Sequence, residues 1–200
     1  MYEQDPNSKS TLRQLYLKKR KALDFEQKTV WDKVLCKAAI QLIQTTRART
    51  IHCYQSLKAT SEVDTQLICT YASSNNHQLV VPKVVSKQGV MEGVYIDGDT
   101  TLQTGSYGIL EPVEFRYVNP LSIDLFIVPL LVADTQGHRV GYGGGFYDRY
   151  LSRSRPDAYR VGLSYFEPIE RILDSTAYDQ LLDVLITPER TYYLSDKMSV

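Results

Sequence analysis

Apolar residues recur at helical spacing near the start of the chain and at strand spacing further on. Leu12, Leu15, Tyr16 and Leu23 form a loose stripe, and Ser8 or Ser10 can cap the helix that carries it to about Leu23. Asp24 followed by Gln27 has the form of a capping box. The helix beyond it places Val30, Trp31, Val34, Leu35, Ala38, Leu42 and Ile43 on one face. Residues 50–55 read as a strand, 63–71 as a helix with Glu62 and Asp64 near its N-terminus, and 78–85 as a strongly apolar strand. Gly89 marks a turn into a second strand at 90–96, which predicts a hairpin. Residues 97–108, rich in Gly, Asp and Thr, read as loop. Residues 123–132 read as a buried strand interrupted by Pro129, 146–154 as a helix, and 160–165 and 184–187 as further strands. Neither internal repeats nor low-complexity segments occur.

Helices alternate with apolar strands after residue 28. That order predicts a layered α/β domain with a mostly parallel central sheet, helices on both faces and a basic N-terminal helix. In open sheets of this kind ligands sit beyond the carboxyl ends of strands. The run 137–149 lies there, after the apolar stretch and before a helix, and it holds five of the eleven glycines. Glycines let the backbone approach an anion and turn N–H groups toward it, and a helix start adds a favourable dipole. The pattern points to a phosphorylated ligand.

Composition narrows the picture. Two hundred residues form one domain spanning 1–200, with 43% apolar and 23% charged residues, long enough to bury a full core. Basic and acidic residues balance at 23 each, so no global field favours nucleic acid or an anionic membrane, and any anion site is local. No run is apolar enough to span a bilayer, and the polar stretch 1–10 does not resemble a secretory signal. Cys36, Cys53 and Cys69 lack metal spacing and read as reduced, mostly buried thiols. His52, His77 and His138 lie too far apart in sequence to form a compact motif. The expectation is a monomeric cytoplasmic protein that takes small molecules, with no nucleic-acid or membrane partner.

Candidate chemistry concentrates in three places, each with two readings. The glycine run lacks the Gly-Lys-Ser/Thr of a Walker loop, and Phe146 stands where a dinucleotide fingerprint needs its third glycine. It is either a plain turn or a phosphate cradle in which Arg139 neutralises charge. Asp148 then either stabilises the helix start or holds Mg²⁺. The first helix carries Lys9, Arg13, Lys18, Lys19, Arg20 and Lys21, ordinarily a solvated face; alternatively Lys9 and Arg13, four apart, clamp phosphate oxygens. Glu62-Val63-Asp64-Thr65 either caps a helix or offers a carboxylate to a polar heterocycle. Gly162-Leu163-Ser164-Tyr165-Phe166 misses the second glycine of a hydrolase elbow, which argues against a serine nucleophile.

Pro129-Leu-Leu-Val-Ala-Asp134, followed by Gly137-His-Arg139-Val-Gly141-Tyr-Gly-Gly-Gly145-Phe-Tyr-Asp148-Arg149, closely resembles the signature of the 5-formyltetrahydrofolate cyclo-ligase (methenyltetrahydrofolate synthetase) family. The resemblance covers nearly the whole chain. It includes Lys9-Ser-Thr-Leu-Arg13, Glu62-Val-Asp-Thr65, Pro82-Lys83, Tyr107-Gly-Ile-Leu-Glu111-Pro112, Tyr178-Asp179 and Leu185-Ile-Thr-Pro-Glu189. It implies an ATP- and Mg²⁺-dependent ring closure of 5-formyltetrahydrofolate to 5,10-methenyltetrahydrofolate, with ADP and phosphate released. Such a reaction needs positioning and charge neutralisation more than an acid–base pair. Carried over position by position, Lys9 and Arg13 would hold ATP phosphates. Arg139, Val140, Gly141, Tyr142, Gly143, Gly144, Gly145, Phe146 and Tyr147 would wrap the triphosphate, with Arg139 and Tyr147 at the reacting atoms. Gln55, Leu57, Glu62, Tyr107, Tyr142 and Phe146 would face the folate, and Asp148 and Asp179 would bind Mg²⁺. About two extra residues fall between Ile51 and Glu62, within ordinary loop variation.

The chain departs from the family pattern at four positions. Ala133 replaces a common phenylalanine, Phe146 a usual tyrosine, Pro168 a common glutamine and Tyr178 a frequent histidine. The rival readings are a phosphosugar or acyl-CoA enzyme on a similar fold and a non-catalytic folate- or nucleotide-binding protein. The Lys9 and Arg13 pair argues for a polyphosphate, and the intact set of Arg139, Asp148 and glycines argues for catalysis.

Overall fold

The computed structural model describes residues 5–86, 90–105 and 110–198. Ser8 caps α1 (Lys9–Lys21) with its side chain on the Thr11 N–H, and Asp24 caps α2 (Phe25–Thr46) by accepting from the N–H groups of Glu26 and Gln27. β1 (Thr50–Cys53), α3 (Gln66–Ser74), β2 (Gln78–Ser86) and β3 (Val90–Ile96) follow. Next come β4 (Leu102–Thr104), β5 (Leu110–Pro112), β6 (Tyr117–Val118), β7 (Leu125–Val128), β8 (Val132–Ala133) and β9 (Arg139–Val140). The chain closes with α4 (Phe146–Leu151), β10 (Tyr159–Leu163), β11 (Val184–Ile186) and β12 (Thr191–Tyr193).

The central sheet runs β12-β11-β10-β7-β1-β2-β3-β6. β11, β10, β7, β1 and β2 are mutually parallel, and antiparallel β12, β3 and β6 close its two ends. The α/β class with a largely parallel sheet flanked by helices is therefore as expected. Strand alternation divides the core into two halves. Ile51 and Cys53, Leu125 and Ile127, Val161 and Leu163, and Val184 and Ile186 pack with Leu35, Cys36, Ala39 and Ile43 of α2 and Ile68 and Ala72 of α3. On the other face Phe126, Val128 and Leu185 meet Tyr150 and Leu151 of α4. A third cluster seats Leu12 and Tyr16 of α1 on Leu131, Val132, Val140 and Ile172.

Several elements differ from the sequence reading. In α2, Val30 and Val34 are exposed, while Cys36 and Ala39 face the sheet. The apolar arc is wider than the sheet covers, and the small residues are the ones that let the helix approach. The helix expected at 63–71 begins only at Gln66, with Val63 buried ahead of it. The stretch 97–108 is not all loop, because β4 pairs with β5. The strand expected at 123–132 ends at Val128, before Pro129, and a separate β8–β9 hairpin carries the chain into the glycine run. The helix after that run has six residues, shorter than expected. The Gly89 turn lies outside the described residues, although β2 and β3 pair as a hairpin requires.

β1 is the switch point of the sheet. The chain leaves it through α3 to β2 on one side, whereas β7, β10 and β11 extend the other way. The carboxyl ends of β1 and β7 therefore diverge into a crevice, the place where open sheets bind ligands.

Candidate active site

A cavity of about 630 Å³ occupies that crevice. Lys9 and Arg13 line it from α1, Tyr54, Gln55, Leu57 and Glu62 from the segment after β1, and Pro82, Val84 and Met91 from β2 and β3. Pro129, Arg139, the run from Gly141 to Asp148, and Asp179 complete the wall.

The mouth is built from charge. Lys9 Nζ pairs with Asp179 Oδ2 at 2.5 Å, and the same oxygen accepts the Thr176 N–H at 2.8 Å. Burial pushes the Asp179 carboxyl up, but the Lys9 ammonium and the Thr176 N–H outweigh it and hold the group below its ordinary value. Arg139 Nη2 pairs with Asp148 Oδ1 at 2.9 Å, and its Nη1 donates to the Gln180 carbonyl. Asp148 Oδ1 also accepts the Gln180 N–H at 3.1 Å. Arg13 Nε donates to the Gly141 carbonyl at 2.8 Å, which ties α1 to the glycine run. Gly143 lies against the Arg13 guanidinium at φ +93°, where a Cβ would stand 3.3 Å from Cζ. Gly145, at φ +64°, is the N-cap of α4. Both positions demand glycine on backbone grounds.

Deeper in, the walls are apolar and end at Glu62, which is 6% exposed. The Leu57 N–H donates to its Oε2 at 2.6 Å. Burial raises the Glu62 carboxyl above its usual value, opposed by that N–H, by the Tyr142 hydroxyl and by the Arg20 charge. Burial also raises the Tyr142 phenol to about 12 and holds the Tyr147 phenol well above its ordinary value, so both are donors rather than bases at neutral pH. Gln55 Oε1 and the Tyr147 hydroxyl are buried without a partner among the described residues. Buried polar atoms in that state at a cavity wall are suited to a ligand's complementary groups.

The fold thus gathers Lys9, Arg13, Gln55, Leu57, Glu62, Arg139, Gly141 to Tyr147, Asp148 and Asp179 around one space. Val140 is not brought to the cavity wall: its side chain is fully buried against α1, and its carbonyl accepts from Leu131, because strand alternation turns it away from its neighbour Arg139. Tyr107 lies outside the described residues. Asp134, part of the signature, is wholly buried and accepts the N–H groups of Gln136, His138 and Ile172, so it shapes the hairpin that presents Arg139. Sequence reasoning missed Tyr54, Pro82, Val84, Met91 and Pro129 as cavity walls. It also left Arg20 among the solvated lysines, although Arg20 is 3% exposed.

Among the described residues no group of three or more metal-ligating side chains lies together. The donor set nevertheless fits Mg²⁺ that arrives with a phosphate chain. That ion keeps several waters and uses only one or two carboxylates, and Asp148 and Asp179 share the same wall.

The model of the 5-formyltetrahydrofolate cyclo-ligase family matches residues 5–188. The chain belongs to that family. It is therefore an enzyme of the ATP-dependent ligase class. This cyclo-ligase is 31% identical to the mitochondrial 5-formyltetrahydrofolate cyclo-ligase of Arabidopsis thaliana, over 90% of its own length and 74% of that relative. It is 28% identical to the 5-formyltetrahydrofolate cyclo-ligase of Mycoplasma pneumoniae, over 90% and 99%. The solved structure of Aquifex aeolicus 5,10-methenyltetrahydrofolate synthetase superposes with a TM-score of 0.81 at 31% identity, covering 94% of this chain and 93% of the other. Of the departures from the family pattern, Phe146 alone lines the cavity. Tyr178 is 86% exposed, and Ala133 is buried in the core beneath α4. No helix among the described residues is long and apolar enough to cross a membrane.

Proposed function

We propose that this cyclo-ligase converts 5-formyltetrahydrofolate to 5,10-methenyltetrahydrofolate by phosphorylating the formyl oxygen with ATP. The observation that carries the reading is the composition of one cavity, in which a mouth of paired charges opens into an apolar space ended by a buried glutamate. A triphosphate suits the first part and a hydrogen-bonding heterocycle the second.

A formamide oxygen is a poor leaving group. In the proposed sequence it attacks the γ-phosphorus, and the bond to ADP breaks with its electron pair leaving on ADP. As the oxygen takes the phosphoryl group, the N5 lone pair moves into an N5=C bond, and the resulting cationic imidate-like phosphate carries an electrophilic carbon. N10 then attacks the carbon and loses its proton to solvent. The C–O bond breaks onto phosphate, which leaves the amidinium of the methenyl product. Every step redistributes charge on oxygen, so a positioned array of cations and N–H donors is the effective catalyst. Lys9, Arg13 and Arg139 fill that role, with the N–H groups of the glycine run. Tyr147, held protonated, donates toward the transferring oxygen. Mg²⁺ bound by Asp148 and Asp179 would neutralise phosphate charge. The carboxylates and the basic groups that now pair with one another would then separate, each taking its counterpart from the incoming MgATP.

The direct test is the near-ultraviolet absorbance of the methenyl product in a mixture of protein, 5-formyltetrahydrofolate, ATP and Mg²⁺. A rise that requires both ATP and Mg²⁺ supports the reading. No rise under conditions where MgATP raises the melting temperature overturns it.

A further inference from the structure

We propose that Arg20 is a positioning residue for the heterocycle end of the cavity, acting through Tyr142 on Glu62. The inference rests on the folate reading of that end. Arg20 sits in the last turn of α1, where its neighbours Lys18, Lys19 and Lys21 are exposed or half-exposed, yet it is 3% exposed. Its Nη1 donates to the Leu130 carbonyl at 3.0 Å, and its Nη2 donates to the Tyr142 hydroxyl. The guanidinium carbon also lies 5.6 Å from the centre of the Tyr142 ring. Nε is buried without a partner among the described residues. A buried cation with an orphan donor is costly, and swapping it for an apolar side chain would serve stability better.

Hydrogen-bond direction supplies a purpose. Arginine only donates, so the phenol oxygen of Tyr142 is the acceptor and its proton is left to point elsewhere. Tyr142 faces Glu62 and stabilises its charge. The order guanidinium, phenol, carboxylate therefore leaves the phenol proton free to serve Glu62. The Leu57 N–H and the Tyr142 hydroxyl both favour the charged form of Glu62 against the burial that raises it, and its other lone pairs suit adjacent ring N–H donors. Among the described residues, the titratable groups that face it act in the same direction or are neutral. Arg20 comes from α1, Tyr142 from the glycine run, Tyr54 from the end of β1 and Tyr147 from α4, and the Tyr165 hydroxyl sits on the Glu62 backbone carbonyl at 3.2 Å. Arg20 thus works against the burial that raises the carboxyl.

The test compares wild type, Arg20→Met and Arg20→Lys by KM for 5-formyltetrahydrofolate, KM for ATP and the pH dependence of the former. Loss of one charge-assisted bond predicts a roughly tenfold higher folate KM at neutral pH in Arg20→Met, with the ATP value unchanged. The acid limb of folate kcat/KM moves to higher pH, because Glu62 without its cation takes up a proton sooner. Arg20→Lys restores the limb only in part, since a point charge replaces the fork. A wild-type folate KM and limb in Arg20→Met overturn the proposal. So does an equal weakening of folate and ATP, which would mark a merely structural role for the helix end. If Arg20→Met does not fold, Arg20→Gln decides by the same two readouts, since it removes the charge and keeps a side-chain donor. A wild-type chain that makes no methenyl product overturns the folate reading itself, independently of any variant.

Discussion

Lys9 with Asp179 and Arg139 with Asp148 meet at the mouth of the cavity through partly exposed carboxylates, whereas Arg20 and Glu62 lie buried at its other end, with the partly exposed Tyr142 between them. The same residue types are used for opposite ends. A pair whose carboxylate water can reach parts at lower cost, because that carboxylate is solvated as it leaves. Parting a buried pair strands a charge and costs about 3–5 kcal/mol. The mouth therefore suits a ligand that brings its own anions and cation and exchanges them with the protein. The deep end suits a neutral, polar ring that adds bonds to an arrangement already complete.

Arg139→Gln breaks the mouth most severely. Losing a preorganised cation from a phosphoryl-transfer site is expected to lower kcat by roughly 100- to 1000-fold, read from product absorbance, with folate affinity retained. Glu62→Gln breaks the other end. Removing one charged acceptor is expected to raise the folate KM by about 10- to 100-fold with the ATP value unchanged, and parallel loss of both would refute the division. Arg13→Ala is smaller, an approximately tenfold weaker ATP affinity by calorimetry with little change in melting temperature. Unchanged affinity would remove Arg13 from the nucleotide end.

A last contrast lies beneath the cavity, where polarity has no partner among the described residues. His52 on β1 is fully buried among Phe126, Tyr147 and Tyr150, with both ring nitrogens unpartnered among the described residues. Burial lowers its pKa from 6.5 to about 3. Above pH 6.5 the ring is neutral whether folded or unfolded, so it adds no pH dependence there. Between about 6.5 and 3 only the unfolded chain takes the proton, so stability falls with pH by at most about 1.4 kcal/mol per unit. His52→Phe is expected to abolish that slope in acid denaturation and to leave stability at pH 8 equal or slightly higher. A retained slope would place its origin elsewhere.

What could be read along the chain follows this same contrast. The strands, the caps at Ser8 and Asp24, and the strained glycines at 143 and 145 are local matters of period and backbone geometry. The roles of Lys9, Arg13, Arg139 and the two aspartates came from resemblance to a family signature, because spacing alone left each open to a plain structural reading. Arg20 had a signal that charge concealed. It stands seven residues after Arg13 and four after Tyr16, on the stripe that packs inward, but a lysine-rich stretch reads as solvated.

The sequence by itself determined the alternation of helices and strands and the glycine-rich turn that leads into a helix, because those depend on neighbours within a few residues. Only the tertiary structure decided that Val140 turns away while Arg139 turns in, that Cys36 and Ala39 rather than Val30 and Val34 meet the sheet, and that Pro82, Met91 and Pro129 wall one cavity with Glu62. Those outcomes depend on which side of the sheet each crossover takes and on what then covers it. Burial, and with it the protonation of Glu62 and His52, is a property of that covering.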